Sequence, residues 1–431
     1  MPQSLAPSPA PLGKGRAVAP SVERIQASLR FDVAAGQASG EAVIEFTGGG
    51  VNGCPALDLR QPVEWVRLDG RELSPDDFAR RDLGAGLRAG MRVLDVEIEA
   101  GTRHRLEVGY RLETPDSEGA VPIAWEHDGV RFDFWMSDLH PGRYLEMWVP
   151  APLIHDRFAL RLDIAVEGTD RPHTLIANTA GVQADARQRS WSLVYPAHFT
   201  ALSPMLVLAP VDLIESRRTV FDLPGRTRSL ALVTARHTGT DADLATCEAD
   251  IRSWLVYAAA RYEPWAHGDT FWAVVWGPGR GMEYDGATTA AIGALEHEVF
   301  HSWFGRGVKP ARASDGWIDE AFTVWSTASR AREVPRFGVT ELALDQEPTV
   351  LYPPHPWSRH TALEAYSRGA ELFAGVAHLM GGADRLRAGM ADWYRDNAGR
   401  LVTTDGLVDH LGRYSGIDLS PWWDRYVHGR S

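Results

Sequence analysis

Hydrophobic and polar residues alternate with period two over much of the first half of the chain. Leu29, Phe31 and Val33 form one such run, and Ala42, Ile44 and Phe46 another. Leu106, Val108, Tyr110 and Leu112 alternate with Arg105, Glu107 and Arg111. Phe158, Leu160, Leu162, Ile164 and Val166 alternate in the same way with Arg157, Arg161 and Asp163. A strand points successive side chains to opposite faces, so these runs predict half-buried strands. Gly48-Gly49-Gly50 and Asp69-Gly70 punctuate them as turns. The pattern predicts an antiparallel β-sandwich or saddle over residues 21–212. Residues 1–20, rich in Pro and aperiodic, read as a flexible tail.

The period changes beyond residue 212. Leu230–Val233 and Phe271–Trp276 still read as strands, but Leu244, Cys247, Ile251 and Leu255 recur at helical spacing within 241–262. Further helices are predicted over 288–304, 316–331, 361–380, 383–397 and 404–413, with Thr288-Thr289 offering the cap of the first. Residues 213–431 therefore form a second domain, α/β at first and then mostly helical. The overall class is multidomain, β followed by α/β.

Composition narrows the function classes. A chain of 431 residues with 44% hydrophobic content can bury a large core. Its formal charge of -13 argues against a nucleic-acid partner, because phosphate binding needs an excess of Lys and Arg. Lysine occurs only at Lys14 and Lys309, so nearly all positive charge is arginine. Cys54 and Cys247 lie in unrelated contexts and form no disulfide framework, which fits a reducing compartment. No apolar signal region opens the chain and no 18-residue apolar run occurs in it, so a cytoplasmic protein without a membrane segment is expected. His140, His155, His237, His355, His378 and His410 have no ligand spacing and read as ordinary polar or core residues.

The chemistry concentrates in Leu295-Glu296-His297-Glu298-Val299-Phe300-His301. On a helix, residues four apart share a face, so His297 and His301 can reach one ion. Zinc suits two imidazoles and a carboxylate, with an open fourth position for water in catalytic sites. Glu298 is then placed to take a proton from that water as general base. Two His and a Glu in so apolar a helix need a partner, and a single Zn2+ supplies it. The third ligand must come from elsewhere. Glu320 follows His301 after 18 intervening residues, beside an apolar stripe of Trp317, Ala321 and Val324.

HExxH, 18 residues and Glu resembles the zinc signature of the M1 metallo-aminopeptidases, which belong to the gluzincins. His301-Ser302-Trp303-Phe304-Gly305 is similar to the family's HxWFG segment, and Trp317-Ile318-Asp319-Glu320-Ala321-Phe322 to its WLNEGF segment. The resemblance implies a thermolysin-like, mostly helical catalytic domain with His297, His301 and Glu320 as zinc ligands. Gly281-Met282-Glu283-Tyr284 resembles the GxMEN edge strand that holds the substrate backbone, with Glu283 at the position that binds the free α-amine. Arg280 and Tyr284 depart from the family's Gly and Asn there, which bears on exopeptidase specificity. Tyr366-Ser367-Arg368-Gly369-Ala370 resembles YxKGA, whose Tyr donates to the oxyanion. Tyr366 lies 46 positions after Glu320, a shorter spacing than the family's usual one, and Tyr352 and Tyr394 are rivals for the role.

Asp315 and Asp319 are either orienters of a ligand imidazole or solvent-facing acids of a helix N-terminus. The resemblance runs from the strands near residue 24, through Ala201–Leu208, to Trp422-Trp423-Asp424-Arg425-Tyr426, and a chain without the helical-repeat domain of many family members is expected. An open cleft is expected. The resulting reading is a zinc aminopeptidase acting on peptides. Its alternatives are a zinc peptidase without strict exopeptidase preference and a non-catalytic zinc-containing binding protein.

Overall fold

The computed structural model of the chain describes residues 5–13, 15–114, 121–277, 279, 281–330 and 347–430. The chain divides into two compact units, Met1–Glu215 with His355–Trp357, and Ser216–Pro354 with Ser358–Ser431.

The first unit is built on an eight-stranded sheet. In spatial order its strands are Gly181–Ala184, Ser190–Val194, Ala159–Glu167, Ser21–Asp32, Gln37–Thr47, Arg103–Arg111, Val63–Leu68 and Arg71–Leu73. Alternation does what the sequence predicts: Val22, Ile25, Ala27, Leu29 and Phe31 are all buried along one strand. Asp69 and Gly70, both at positive φ (51° and 80°), form the tight hairpin between Val63–Leu68 and Arg71–Leu73. Smaller sheets of five and four strands complete the unit. The pairing is not wholly antiparallel. Ala159–Glu167 runs parallel to Ser21–Asp32, which is possible because a long stretch of chain separates them.

The expected flexible tail over 1–20 is a correction. Ala10–Leu12 and Gly15–Val18 pair as strands, and the second of these also pairs with Cys54–Leu57. Ala10, Ala17 and Ala19 pack with Met91, Val93 and Trp357, whose indole donates to the Ser8 carbonyl at 3.0 Å. Pro-rich composition misleads here because the small alanines between the prolines are the buried positions.

The second unit opens with a mixed five-stranded sheet. Its strands are β1 (Ile214–Phe221), β2 (Leu230–His237), β3 (Thr270–Trp276), β4 (Gly281–Tyr284) and β5 (Ala287–Ala291). Helix α1 (Leu244–Ala259) connects β2 to its parallel neighbour β3, and Asp243 caps its N-terminus by accepting from Ala245 and Thr246. The spatial order β1-β2-β3-β5-β4 leaves β4 on the edge, antiparallel to β5.

Here the structure corrects the helix predicted over 288–304. Residues 287–291 are strand β5, paired on both sides, and the helix that follows, α2, spans only Leu295–Phe300. Thr288 donates its hydroxyl to the Met282 carbonyl across the ladder, at 3.0 Å, and caps nothing. A short run of small apolar residues fits a buried strand as well as a helix, and its pairing with β3 and β4 makes it a strand here.

Among the described residues the helices that follow are α3 (Trp317–Arg330), α4 (Arg368–Leu379), α5 (Ala383–Asn397), α6 (Thr404–Ser415) and α7 (Ser420–Tyr426), with Lys309–Pro310 paired in parallel to Leu401–Val402. An aromatic cluster joins α2 to α3. Phe304 lies 4.6 Å from Phe322 and 5.0 Å from Tyr262 between ring centroids, and Phe322 lies 5.2 Å from Phe373 on α4. Phe300 and Phe304 bracket His301 in sequence, and Phe322 follows Glu320 by two, so this packing fixes how the two helices face each other.

Just beyond α2, Lys309 Nζ lies 2.6 Å from Asp285 Oδ2 in the β4–β5 turn, with both side chains almost fully buried (4% and 3% exposed). Burial raises the Asp285 carboxyl, and the Lys309 charge outweighs it, so the net shift is downward. Removing one partner strands the other charge in the interior. Lys309→Met is therefore expected to lower unfolding stability by about 3–5 kcal/mol in urea titrations.

Candidate metal centre

α2 has only six residues, yet it brings two imidazoles edge to face, 4.6 Å apart between ring centroids. His301 sits at its C-cap, its amide donating to the His297 carbonyl at 3.3 Å. His301 Nε2 lies 2.9 Å from His297 Nε2. Glu320 comes from the first turn of α3, where acidic residues face the positive helix end. Its Oε2 is 3.1 Å from His297 Nε2 and 3.5 Å from His301 Nε2. Zinc bonds of about 2.0–2.2 Å in a tetrahedral shell put neighbouring donors roughly 3.3–3.6 Å apart. The three donor atoms form a triangle close to that size, so this donor set fits one zinc ion.

Electrostatics point the same way. His301 is fully buried, Glu320 is 2% exposed, and the His297 side chain keeps 20% exposure, which makes it the open side of the triangle. Burial pushes the His301 imidazole down, and the Glu283 and Glu320 carboxylates outweigh it, so its affinity for a proton is raised well above normal. Burial likewise pushes Glu320 up, and His301 and His297 outweigh it, holding it well below the usual range. The cluster thus favours positive charge at its centre. The remaining nitrogen of His301, Nδ1, donates to the Phe304 carbonyl at 2.9 Å, which leaves Nε2 as the electron-pair donor.

Glu298 and Glu283 converge on the same spot. A carboxylate oxygen of each lies within 4.8 Å of the other and of a His301 nitrogen. Glu298 is 6% exposed, and a Cβ at Gly281 would run into its Oε1, so the glycine is what lets β4 approach the carboxylate so closely. Met282 is buried and opposes Thr289 in the ladder, while Gly281 opposes Ala290. Arg280 lies outside the described residues.

Of the three tyrosines, Tyr366 is the one beside the donor triangle: its ring stacks on His297 at 5.8 Å and 17°. Tyr394 is fully buried and donates to the Pro264 carbonyl at 2.8 Å. Tyr352 accepts from Arg312 at 3.3 Å and packs on His428.

Both aspartates are buried, so neither is a solvent-facing acid. Asp315 is buried and accepts from Thr404 N (2.8 Å), Thr404 Oγ1 (2.9 Å) and Arg312 N (3.1 Å), tying the start of α6 to the entry of α3. Asp319 is buried beside the centre, accepts from the Glu320 amide at 3.0 Å, and is raised by desolvation to about 7. A Cβ on Gly305, at φ 117°, would lie 2.8 Å from Asp319 Oδ2 and 3.1 Å from His301 Nδ1.

One residue escaped the sequence reading. Arg306, 2% exposed, lies with Nη2 2.8 Å from Glu283 Oε1, while its Nε donates to the Glu283 carbonyl at 3.2 Å. Its only sequence signal is a position directly after the His301–Gly305 segment.

No family model matches the chain, and no curated protein matches it. Solved structures do. A zinc metallopeptidase of the M1 family from Deinococcus radiodurans superposes with TM-score 0.65 at 17% identity, over 96% of this chain and 95% of that one. Legionella pneumophila aminopeptidase A, in complex with aspartic acid, matches with TM-score 0.70 at 12% identity, over 97% of this chain and 51% of that one. Yeast LTA4 hydrolase matches with TM-score 0.62 at 14% identity, over 96% and 68%. The chain has the fold of the M1 zinc metallopeptidases.

Proposed function

We propose that this protein is a zinc-dependent peptidase that removes N-terminal residues from peptides, with one zinc ion held by His297, His301 and Glu320. The observation that carries the reading is the donor triangle with Glu298 and Tyr366 at its margins. A bound zinc ion supplies a Lewis acid and makes a water acidic enough to lose its proton near neutral pH. Glu298 would take a proton from the attacking water as its oxygen bonds to the scissile carbonyl carbon, and pass that proton to the leaving nitrogen as the C–N bond breaks. Tyr366 donates its hydroxyl to the oxygen on which charge develops. The edge strand β4, through Gly281 and Met282, aligns the substrate backbone as an added strand, and Glu283 faces the α-amine. The fold likeness to zinc peptidases supports the reaction class. The buried free thiols Cys54 and Cys247 support a reducing, cytoplasmic location.

Hydrolysis of a panel of aminoacyl fluorogenic substrates is expected in the zinc-loaded protein, with loss on chelation and recovery with zinc; no turnover across the panel after zinc loading would remove the proposal. Glu298→Gln is expected to abolish turnover while leaving zinc stoichiometry at one per chain. Tyr366→Phe is expected to lower kcat by about 100- to 1,000-fold with KM little changed, the loss typical of one oxyanion donor. Gly305→Ala, which pushes on His301 and Asp319, is expected to weaken zinc by about 10- to 100-fold in chelator competition.

A further inference from the structure

Glu283 is shared. Its Oε1 meets Arg306 Nη2 at 2.8 Å, with the two side chains 4% and 1% exposed, while the carboxylate also reaches within 4.8 Å of His301 and Glu298 donor atoms. The guanidinium is not free to swing aside. Its Nε donates to the Glu283 carbonyl at 3.2 Å and its Nη1 to the Gly305 carbonyl at 2.8 Å, so three of its contacts lie on rigid backbone or on Glu283 itself. Asp285 and Lys309, two and three positions further along the same two segments, form a second buried pair that pins them together.

A carboxylate already paired with a fixed guanidinium is a weak anchor for a second cation. An arriving ammonium gains the Glu283 contact and is repelled by the buried Arg306 beside it, so the two effects oppose each other. A neutral N-terminus loses the attraction and escapes the repulsion.

We propose that Arg306 is a specificity-determining residue that relaxes the demand for a free α-amine, so that peptides with a neutral, acylated N-terminus are substrates alongside free ones. This rests on the peptidase reading above. Water adds across the same peptide bond in both cases, and a blocked peptide yields an N-acyl amino acid and a shortened peptide.

The test uses tripeptides X-Ala-Ala, with X as Leu, Phe, Arg or Glu, each free and N-acetylated. Binding is measured by calorimetry on the zinc-loaded Glu298→Gln protein, and hydrolysis on the zinc-loaded wild type. With Arg306 present, free and acetylated forms are expected to bind within about tenfold of each other. Arg306→Gln keeps a donor for the carbonyls and removes the charge, and is expected to raise the free-amine preference by about tenfold or more, the worth of a charge-assisted hydrogen bond. Arg306→Lys keeps the charge and the wild-type ratio. A free-amine preference above about a hundredfold with Arg306 in place, or an Arg306→Gln protein whose ratio is unchanged or lower, overturns the proposal. If Arg306→Gln does not fold by circular dichroism, the ratios of the Arg306 protein and of the Arg306→Lys variant decide on the same thresholds. Absence of hydrolysis in the wild type strikes the peptidase reading instead, because the binding ratio is read independently of turnover.

Discussion

Burying carboxylates in one place is the constraint that organises the second unit. Glu283, Glu298, Asp319 and Glu320 are all less than a tenth exposed and sit around a single imidazole, His301. Such a group is sustainable only with positive charge among it. The chain supplies part of that charge from Arg306, and a divalent ion held at the donor triangle would supply the rest. Asp319 shows the balance from the other side: with its neighbours already charged, desolvation raises it to about 7.

The frame that holds this charge is aromatic. Phe300, Phe304, Phe322, Tyr262 and Phe373 fix α2 against α3 and α4, and Trp317 anchors α3 by donating to Thr404 at 3.0 Å. These rings have few rotamers and interdigitate tightly, so a six-residue helix can present two imidazoles without the support of its own length. Asp315, a candidate for the site on sequence grounds, belongs to this frame.

Much of this was legible in the residues. Periodicity separated a β half from a later helical half, and the spacing of His297, His301 and Glu320 selected donors that lie within 3.5 Å of one another. What escaped was local ambiguity and long-range pairing. The run 288–291 suits either a helix or a doubly paired strand, and its partners, β3 and β4, decide the matter. Strands at 10–18 were hidden by proline content. Arg306 was invisible because its partner is 23 positions away, and nothing in sequence announces that an arginine will be sealed from solvent beside a glutamate.

The Lys309–Asp285 contact has a practical consequence. With lysine limited to Lys14 and Lys309, the second unit carries a single ε-amine, and it is sealed. Amine-selective reagents should spare that unit while it is folded and label it once the turn opens. Its acylation rate is thus a built-in, one-residue clock for opening of the β-edge that adjoins α2.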